Sequence, residues 1–258
     1  MSGIDPRAVV SSGAELASDV SVGPYTVIGD GVKIGAGTWI GPHAVINGPT
    51  TIGAGNKIFQ FASIGDAPQD LKYKGEPTRL EIGDRNVFRE FTTMNRGTVG
   101  GGGVTIIGSD NLFMAYTHVA HDCRVGSHIV MANYATLAGH VEIGDWVIMG
   151  GYAGTHQFSK VGTHAFIAND CKVTRDVPPY VMAVGSPAEA HSINSEGLKR
   201  RGFTPEQIRN LKNAYRVLFR SGLLQKDALA ELRSRVPTQP ELKIFVDFIG
   251  ESTRSLVR

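Results

Sequence analysis

The 258 residues carry 26 Lys and Arg against 24 Asp and Glu, a net charge of +2 that selects no partner by itself. No apolar run is long enough to cross a bilayer, and two cysteines are too few for a disulfide framework, so membrane insertion and a disulfide scaffold are set aside. The N-terminus, MSGIDPRAVV, lacks the basic flank and apolar core of a secretory signal, so a soluble cytoplasmic protein is expected.

In chain order, the first pattern is a repeat. Ile4, Val10, Leu16, Val22, Ile28, Ile34, Ile40, Ile46, Ile52, Ile58 and Ile64 recur with a hexapeptide period. The period returns at Ile82, Phe88 and Met94, slips by one across Gly97–Val104, and runs from Ile107 through Met149. It falters at Thr155 and finishes at Val161, Ile167 and Val173. Four positions after most of these stands a small or β-branched residue, as at Thr26, Ala44, Ala135 and Ala165. One large and one small inward position per hexad describe a short strand and a turn, whereas a helix needs a period of about 3.6. A hexapeptide period marks a parallel β-helix, in which three hexads close one coil. Glycine directly after the aliphatic residue is expected at corners with unusual φ.

Two polar segments interrupt the rhythm. Asp66–Arg79 carries no aliphatic at the hexad positions, yet Ile64 and Ile82 are three whole hexads apart, so the coil phase is expected to hold and the segment to project as a loop. Arg96–Val104, with four consecutive glycines, reads as a tolerated insertion. The repeat is expected to stop near Asp176–Pro187, where prolines oppose ladder pairing. Helices follow. Thr204-Pro205-Glu206-Gln207 combines an N-cap, a proline at N1 and a capping-box glutamine. Further helices are expected over Lys226–Arg235 and from Thr238–Glu241 through Phe248. From Gly197 to Arg258 there are 13 basic and 6 acidic residues, which leaves the preceding part net acidic. Such a tail suits an acidic partner, protein or nucleic acid, or is a solvated helical surface.

The three-hexad coil is also a ruler for side chains. It stacks His121 against Gly139 and Gln157, and Asp122 against His140; His156 precedes Gln157 by one. His121, Asp122, His140, His156 and Gln157 therefore gather at one corner, where imidazoles can move protons near neutral pH. Cys123 and Cys171 fall at small inward positions and read as core. Three readings stay open at this point: an enzyme using the corner as acid and base, a zinc-dependent hydratase of the hexapeptide-repeat carbonic anhydrase kind, and a non-catalytic β-solenoid scaffold.

Several stretches carry a resemblance: Gln69–Thr78 (QDLKYKGEPT), His118–Asp122 (HVAHD), Leu137–His140 (LAGH), His156-Gln157, Asp176–Tyr180 (DVPPY) and Asn194–Phe203 (NSEGLKRRGF). With them the chain resembles, over essentially its full length, the UDP-N-acetylglucosamine 3-O-acyltransferases that open lipid A synthesis. The resemblance implies a left-handed parallel β-helix over residues 1–190, followed by a small α-helical domain over 191–258. It implies transfer of a 3-hydroxyacyl chain from acyl carrier protein to the sugar 3-hydroxyl of UDP-N-acetylglucosamine, in a homotrimer, with no metal, no cofactor and no nucleic acid. His121 matches the general base, Asp122 its support and the Gly139 N–H the oxyanion donor. Asp70, Leu71, Lys72, His118, His140 and Gln157 match sugar- and phosphate-side positions. His156, Asn194, Glu196, Arg200 and Arg201 match further nucleotide or acyl contacts, and Asn169 matches the position that sets chain length. Asn95, where the family often has histidine, and Ser186-Pro187, where some members have Asn-His, depart from the pattern.

Overall fold

In the computed structural model, which describes residues 3–258, the hexads fold into short strands, most of them only a dipeptide long. Successive strands turn onto successive faces, giving three sheets of 11, 9 and 8 strands. In the regular stretches residues one coil apart pair in parallel: Val22 on Ile40, Val119 on Leu137, Leu137 on Thr155. The core is the column of inward residues. Ile40, Ile46, Ile58, Ile64, Phe88, Met94 and Phe113 are fully buried, and the small positions Thr26, Ala44 and Ala135 close the gaps between them. Along one inner edge the small residue is asparagine. The Asn86 N–H and side-chain amide both donate to Asn56 Oδ1 (2.9 and 3.0 Å), and the Asn111 N–H donates to Asn86 Oδ1 (3.0 Å). These buried amides are thus paired from coil to coil.

The glycines have a different role from the one expected. The left-handed φ falls mostly two positions later, and histidines, aspartates and aromatics adopt it, Asp122 (φ 62°) and His140 (φ 63°) among them. For a residue with a Cβ that conformation costs on the order of 1 kcal/mol. On one corner, ring stacking offsets the cost: Tyr25, His43, Phe61, Phe91, Tyr116, Tyr134 and Tyr152 form a column with centroids 4.7–5.5 Å apart. The glycine after the aliphatic instead permits coils to touch. A Cβ on Gly35 would stand 2.7 Å from the Gly53 carbonyl carbon.

Two further expectations are corrected. Ile82 pairs with Ile52, not Ile64, so Asp66–Arg79 leaves as a loop but also advances the chain by one face. The coil from Ile52 to Ile82 is longer than a regular one by two whole hexads, which is why the hexad phase survives. The second excursion leaves Ile82 paired with Ile107. That coil is one hexad and one further position longer than a regular one, and the odd position is the slip seen in the sequence. Nor do the prolines end the ladder. Pro178 and Pro179 precede the strand Val181–Val184, which pairs with Phe166–Ile167 and turns back antiparallel on Glu189–Ile193. Proline there costs no ladder hydrogen bond.

Four α-helices follow: α1 (Ser195–Arg200), which the sequence pattern did not announce, α2 (Pro205–Arg220), α3 (Gln225–Arg235) and α4 (Lys243–Glu251), the last after a 3₁₀ turn at Pro240–Leu242. The capping box at Thr204 and Gln207 is present in full. Leu211, Ala214, Tyr215 and Leu218 bury one face of α2. The helices dock on the β-helix: Tyr215 Oη donates to the Ala190 carbonyl (2.8 Å) and Ser252 Oγ to Asp176 Oδ2 (2.6 Å). Among the described residues no helix is long and apolar enough to cross a membrane.

Candidate active site

His121 and Asp122 follow the strand His118–Val119, at the corner between the second and third sheets. The left-handed φ of Asp122 turns its carboxylate back toward the imidazole. His121 Nδ1 lies 2.8 Å from Asp122 Oδ2. A carboxylate only accepts, so Nδ1 carries the proton and Nε2 is left with its lone pair. The Asp122 side chain is fully buried, while that of His121 is 16% exposed and faces a cleft. Such a carboxylate fixes the ring's tautomer and its direction.

That cleft, about 590 Å³, is lined by Gln69, Asn95, His118, His121, Gly139 and His156, with Lys172 at one side. Gly139 is packed directly on the imidazole: a Cβ would stand 2.5 Å from His121 Cε1. Ala138 and His140 donate their N–H groups to the carbonyls of Thr155 and His121 in neighbouring coils (both 3.0 Å); the intervening Gly139 N–H joins neither ladder. Gly139 itself stands beside His121 Nε2, 2.8 Å from where its Cβ would be. His118 Nδ1 meets Thr93 Oγ1 at 2.7 Å, and burial, reinforced by the neighbouring His121, moves its pKa below the ordinary histidine value.

His140 stands on the other side of the corner. Its Nε2 is 3.7 Å from Asp122 Oδ2, and its ring stacks on Phe158 at 4.3 Å. Burial lowers its pKa against the attraction of Asp122. It shares a second, smaller cleft with Asp70, Lys72, Tyr73, Thr98 and Phe158. The loop bearing Asp70 and Lys72 is moored by Arg96, whose guanidinium donates to the carbonyls of Gly48 (2.9 Å) and Gly65 (2.7 Å) and to Tyr73 Oη (3.2 Å). Leu71, at the tip, is 97% exposed.

The donor atoms of His121, Asp122 and His140 lie within 4.8 Å of one another, a spacing that could admit a metal ion. Oδ2, however, already accepts from His121 and from Thr98. An ion would have to displace those hydrogen bonds.

The fold is shared with known proteins. Residues 176–257 match the family described as "Udp N-acetylglucosamine O-acyltransferase; Domain 2". The acyl-[acyl-carrier-protein]–UDP-N-acetylglucosamine O-acyltransferase of Thiobacillus denitrificans is 54% identical over 258 residues, covering all of both chains. The chain belongs to the UDP-N-acetylglucosamine O-acyltransferase family. Two crystal structures of the family agree in shape: that from Moraxella catarrhalis (TM-score 0.97, 46% identity, 99% of both chains) and LpxA from Acinetobacter baumannii (TM-score 0.97, 48% identity, 99% of both chains). Membership sets aside the hydratase and scaffold readings.

The acyltransferase site foreseen from sequence divides into two groups. His118, His121, Asp122, Gly139, His140 and His156 converge on one corner, with Asp70 and Lys72 beside it. The Gln157 carbonyl meets His156 Nδ1 (3.1 Å) and accepts from Arg254 (3.4 Å). Asn169, Asn194, Glu196, Arg200 and Arg201 are not brought to His121 within the chain. Asn169 is on the corner of the aromatic column, where its Oδ1 accepts from the Gly151 N–H (3.0 Å). Asn194 caps α1 and donates to the His164 carbonyl (3.0 Å), and the Arg201 guanidinium lies 5.1 Å from the Trp146 ring, on the third corner. Sequence reasoning missed Asn95 and Thr98 as site residues. Asn95 is 4% exposed, lines the larger cleft, and donates to the Ala67 carbonyl (3.0 Å) while its Oδ1 has no hydrogen-bond partner among the described residues. Its departure from the family pattern was the available signal.

Proposed function

We propose that the His121 corner carries out the acyl transfer of this family, the first step of lipid A synthesis, with UDP-N-acetylglucosamine as acceptor and a 3-hydroxyacyl chain on acyl carrier protein as donor. The carrying observation is the imidazole itself: Nδ1 is tied to a buried carboxylate and Nε2 faces a cleft beside Gly139. Nε2 takes the proton of the sugar 3-hydroxyl as its oxygen attacks the thioester carbonyl. The oxyanion accepts from the Gly139 N–H. Collapse of the tetrahedral intermediate breaks the carbon–sulfur bond, and His121 returns the proton to the leaving thiolate. Asp70, Lys72, His118, His140 and Gln157 bind the sugar and phosphate side. No step calls on a metal.

The remaining candidates act through a homotrimer. The aromatic column leaves Phe61, Tyr116 and Tyr152 44–63% exposed along one corner, and Leu71 projects into water. Surface of this kind suits a second chain. Asn169, Asn194, Glu196, Arg200 and Arg201 of a neighbour then complete the nucleotide and acyl ends of the cleft. The basic helical tail draws the acidic carrier protein, and the whole operates in the cytoplasm. The test is His121→Ala, whose rate should fall by about 10²–10⁴-fold with the fold retained. Near-normal turnover in the folded variant would sink the mechanism.

A further inference from the structure

The excursion Arg96–Val104, read from sequence as an inert insertion, crosses the Asp122 corner. It is an ordered loop. The Thr98 carbonyl accepts from the N–H groups of Gly101 (3.0 Å) and Gly103 (2.8 Å), and the Gly103 carbonyl accepts from the Arg79 N–H (2.9 Å). Gly102 (φ 93°) and Gly103 (φ 78°) supply the left-handed turns that the tight return needs.

What the loop encloses is the Asp122 carboxylate. The Thr98 N–H donates to Oδ1 (2.8 Å) and the Thr98 hydroxyl donates to Oδ2 (2.6 Å), the oxygen that also accepts from His121 Nδ1–H. Gly101 lies against the carboxylate so closely that a Cβ would stand 2.0 Å from Asp122 Cγ. From below, Thr105 Oγ1 accepts from the Asp122 N–H (2.8 Å). An aspartate side chain turns about two bonds, and one residue here constrains both of its oxygens. Held on both oxygens, the buried carboxylate has its plane fixed, and the second lone pair of Oδ2 meets the imidazole.

We propose that Thr98 is a positioning residue for the acyl transfer: its hydroxyl and N–H fix the plane of the Asp122 carboxylate, which in turn fixes His121. The glycines that follow it let the loop close over the pair without a side chain in the way. The lengthened coil between Ile82 and Ile107 is thus part of the catalytic apparatus, although Thr98 touches no reacting atom. This rests on the reading of His121 as the base, and the experiment separates the two.

Thr98→Val removes the hydroxyl and keeps shape and N–H; Thr98→Ser keeps the hydroxyl; Thr98→Ala removes it without filling space. Each is assayed beside His121→Ala in the full-length protein with the carrier-protein donor. A hydrogen bond to a charged group is worth about a ten- to hundredfold change in rate. The expected result is a kcat lower by that factor in Thr98→Val and Thr98→Ala, a KM for the UDP-sugar within about twofold, and recovery in Thr98→Ser to within about threefold. In proton NMR the His121 Nδ1–H resonance should be seen in wild type and Thr98→Ser and be lost to exchange in the other two. A Thr98→Val or Thr98→Ala protein with unchanged kcat, alongside an inactive His121→Ala, overturns the proposal and leaves the base in place. So does a loss confined to KM or to melting temperature. An active His121→Ala overturns the base reading itself.

Discussion

Gly139→Ala tests the packing of the site most directly. Glycine is not required there by its backbone: Gly139 is absent from the positive-φ positions, so alanine meets no torsional penalty. What it meets is His121. The new Cβ would stand 2.5 Å from Cε1 and 2.8 Å from Nε2, where ordinary contact begins near 3.4 Å. The ring must therefore move by about 1 Å, and a misplacement of that size costs on the order of 10²-fold in rate, or about 2.7 kcal/mol of transition-state stabilisation. The imidazole cannot slide freely, because motion away from Gly139 stretches its 2.8 Å bond to Asp122. The variant should melt close to wild type, bind UDP-sugar with a KM within about threefold, and lose about a hundredfold in kcat. Steady-state transfer from the carrier-protein donor, with thermal melts alongside, reads all three. A Gly139→Ala protein that turns over within about threefold of wild type would show that the ring has room to relax, and would refute the contact as a determinant of rate.

Arg200→Ala and Arg201→Ala should weaken apparent substrate affinity far more than kcat, and transfer from the carrier protein should fall with added salt; salt-independent rates with unchanged affinities would contradict this. Asn169→Gly should shift donor preference toward longer chains by roughly fourfold per methylene admitted, read by competition among acyl donors, and an unchanged preference rejects the ruler. His164 is held down to about 4, first by burial and then by the charge of Arg201. Its folded value lies below its unfolded one, so the unfolded chain binds the proton first and stability is lost as pH falls from about 6.5 toward 4. Melts across that range should flatten in His164→Phe, and an equal slope in both proteins would dismiss His164 as the source.

The parts that could be read from sequence were those tied to the period. Once Ile and Val recur at every hexad, the inward column follows, and a coil of three hexads puts His121 beside Gly139 and Asp122 beside His140 on spacing alone. The excursions have no period. Nothing in GTVGGGG reveals that Thr98 folds over Asp122, because the hydrogen bonds that decide it join residues outside the ladder. The face reached by Ile82 is hidden for a related reason: two extra hexads preserve the phase and change the side. Asn169 is assignable to a corner but not to a partner, since the ruler runs along one chain, and Arg201 lies beyond the ruler, so its place at Trp146 is not legible at all.

The same stacking turns residue numbers into heights. From the His121 corner to that of Asn169 the chain makes two full coils and two further sides, with no insertion between. At about 4.8 Å per coil that is roughly 13 Å along the prism axis. If neighbouring prisms stand parallel around a threefold axis, the height difference is the same between chains as within one. A fully extended chain advances roughly 1.2 Å per bond, so a hydrocarbon lying along the groove covers that height in about ten or eleven bonds. Length selection in such a solenoid comes in steps: moving the stop residue by one coil changes the reach by about four carbons, and intermediate lengths are reached only by changing the size of the side chain at the stop.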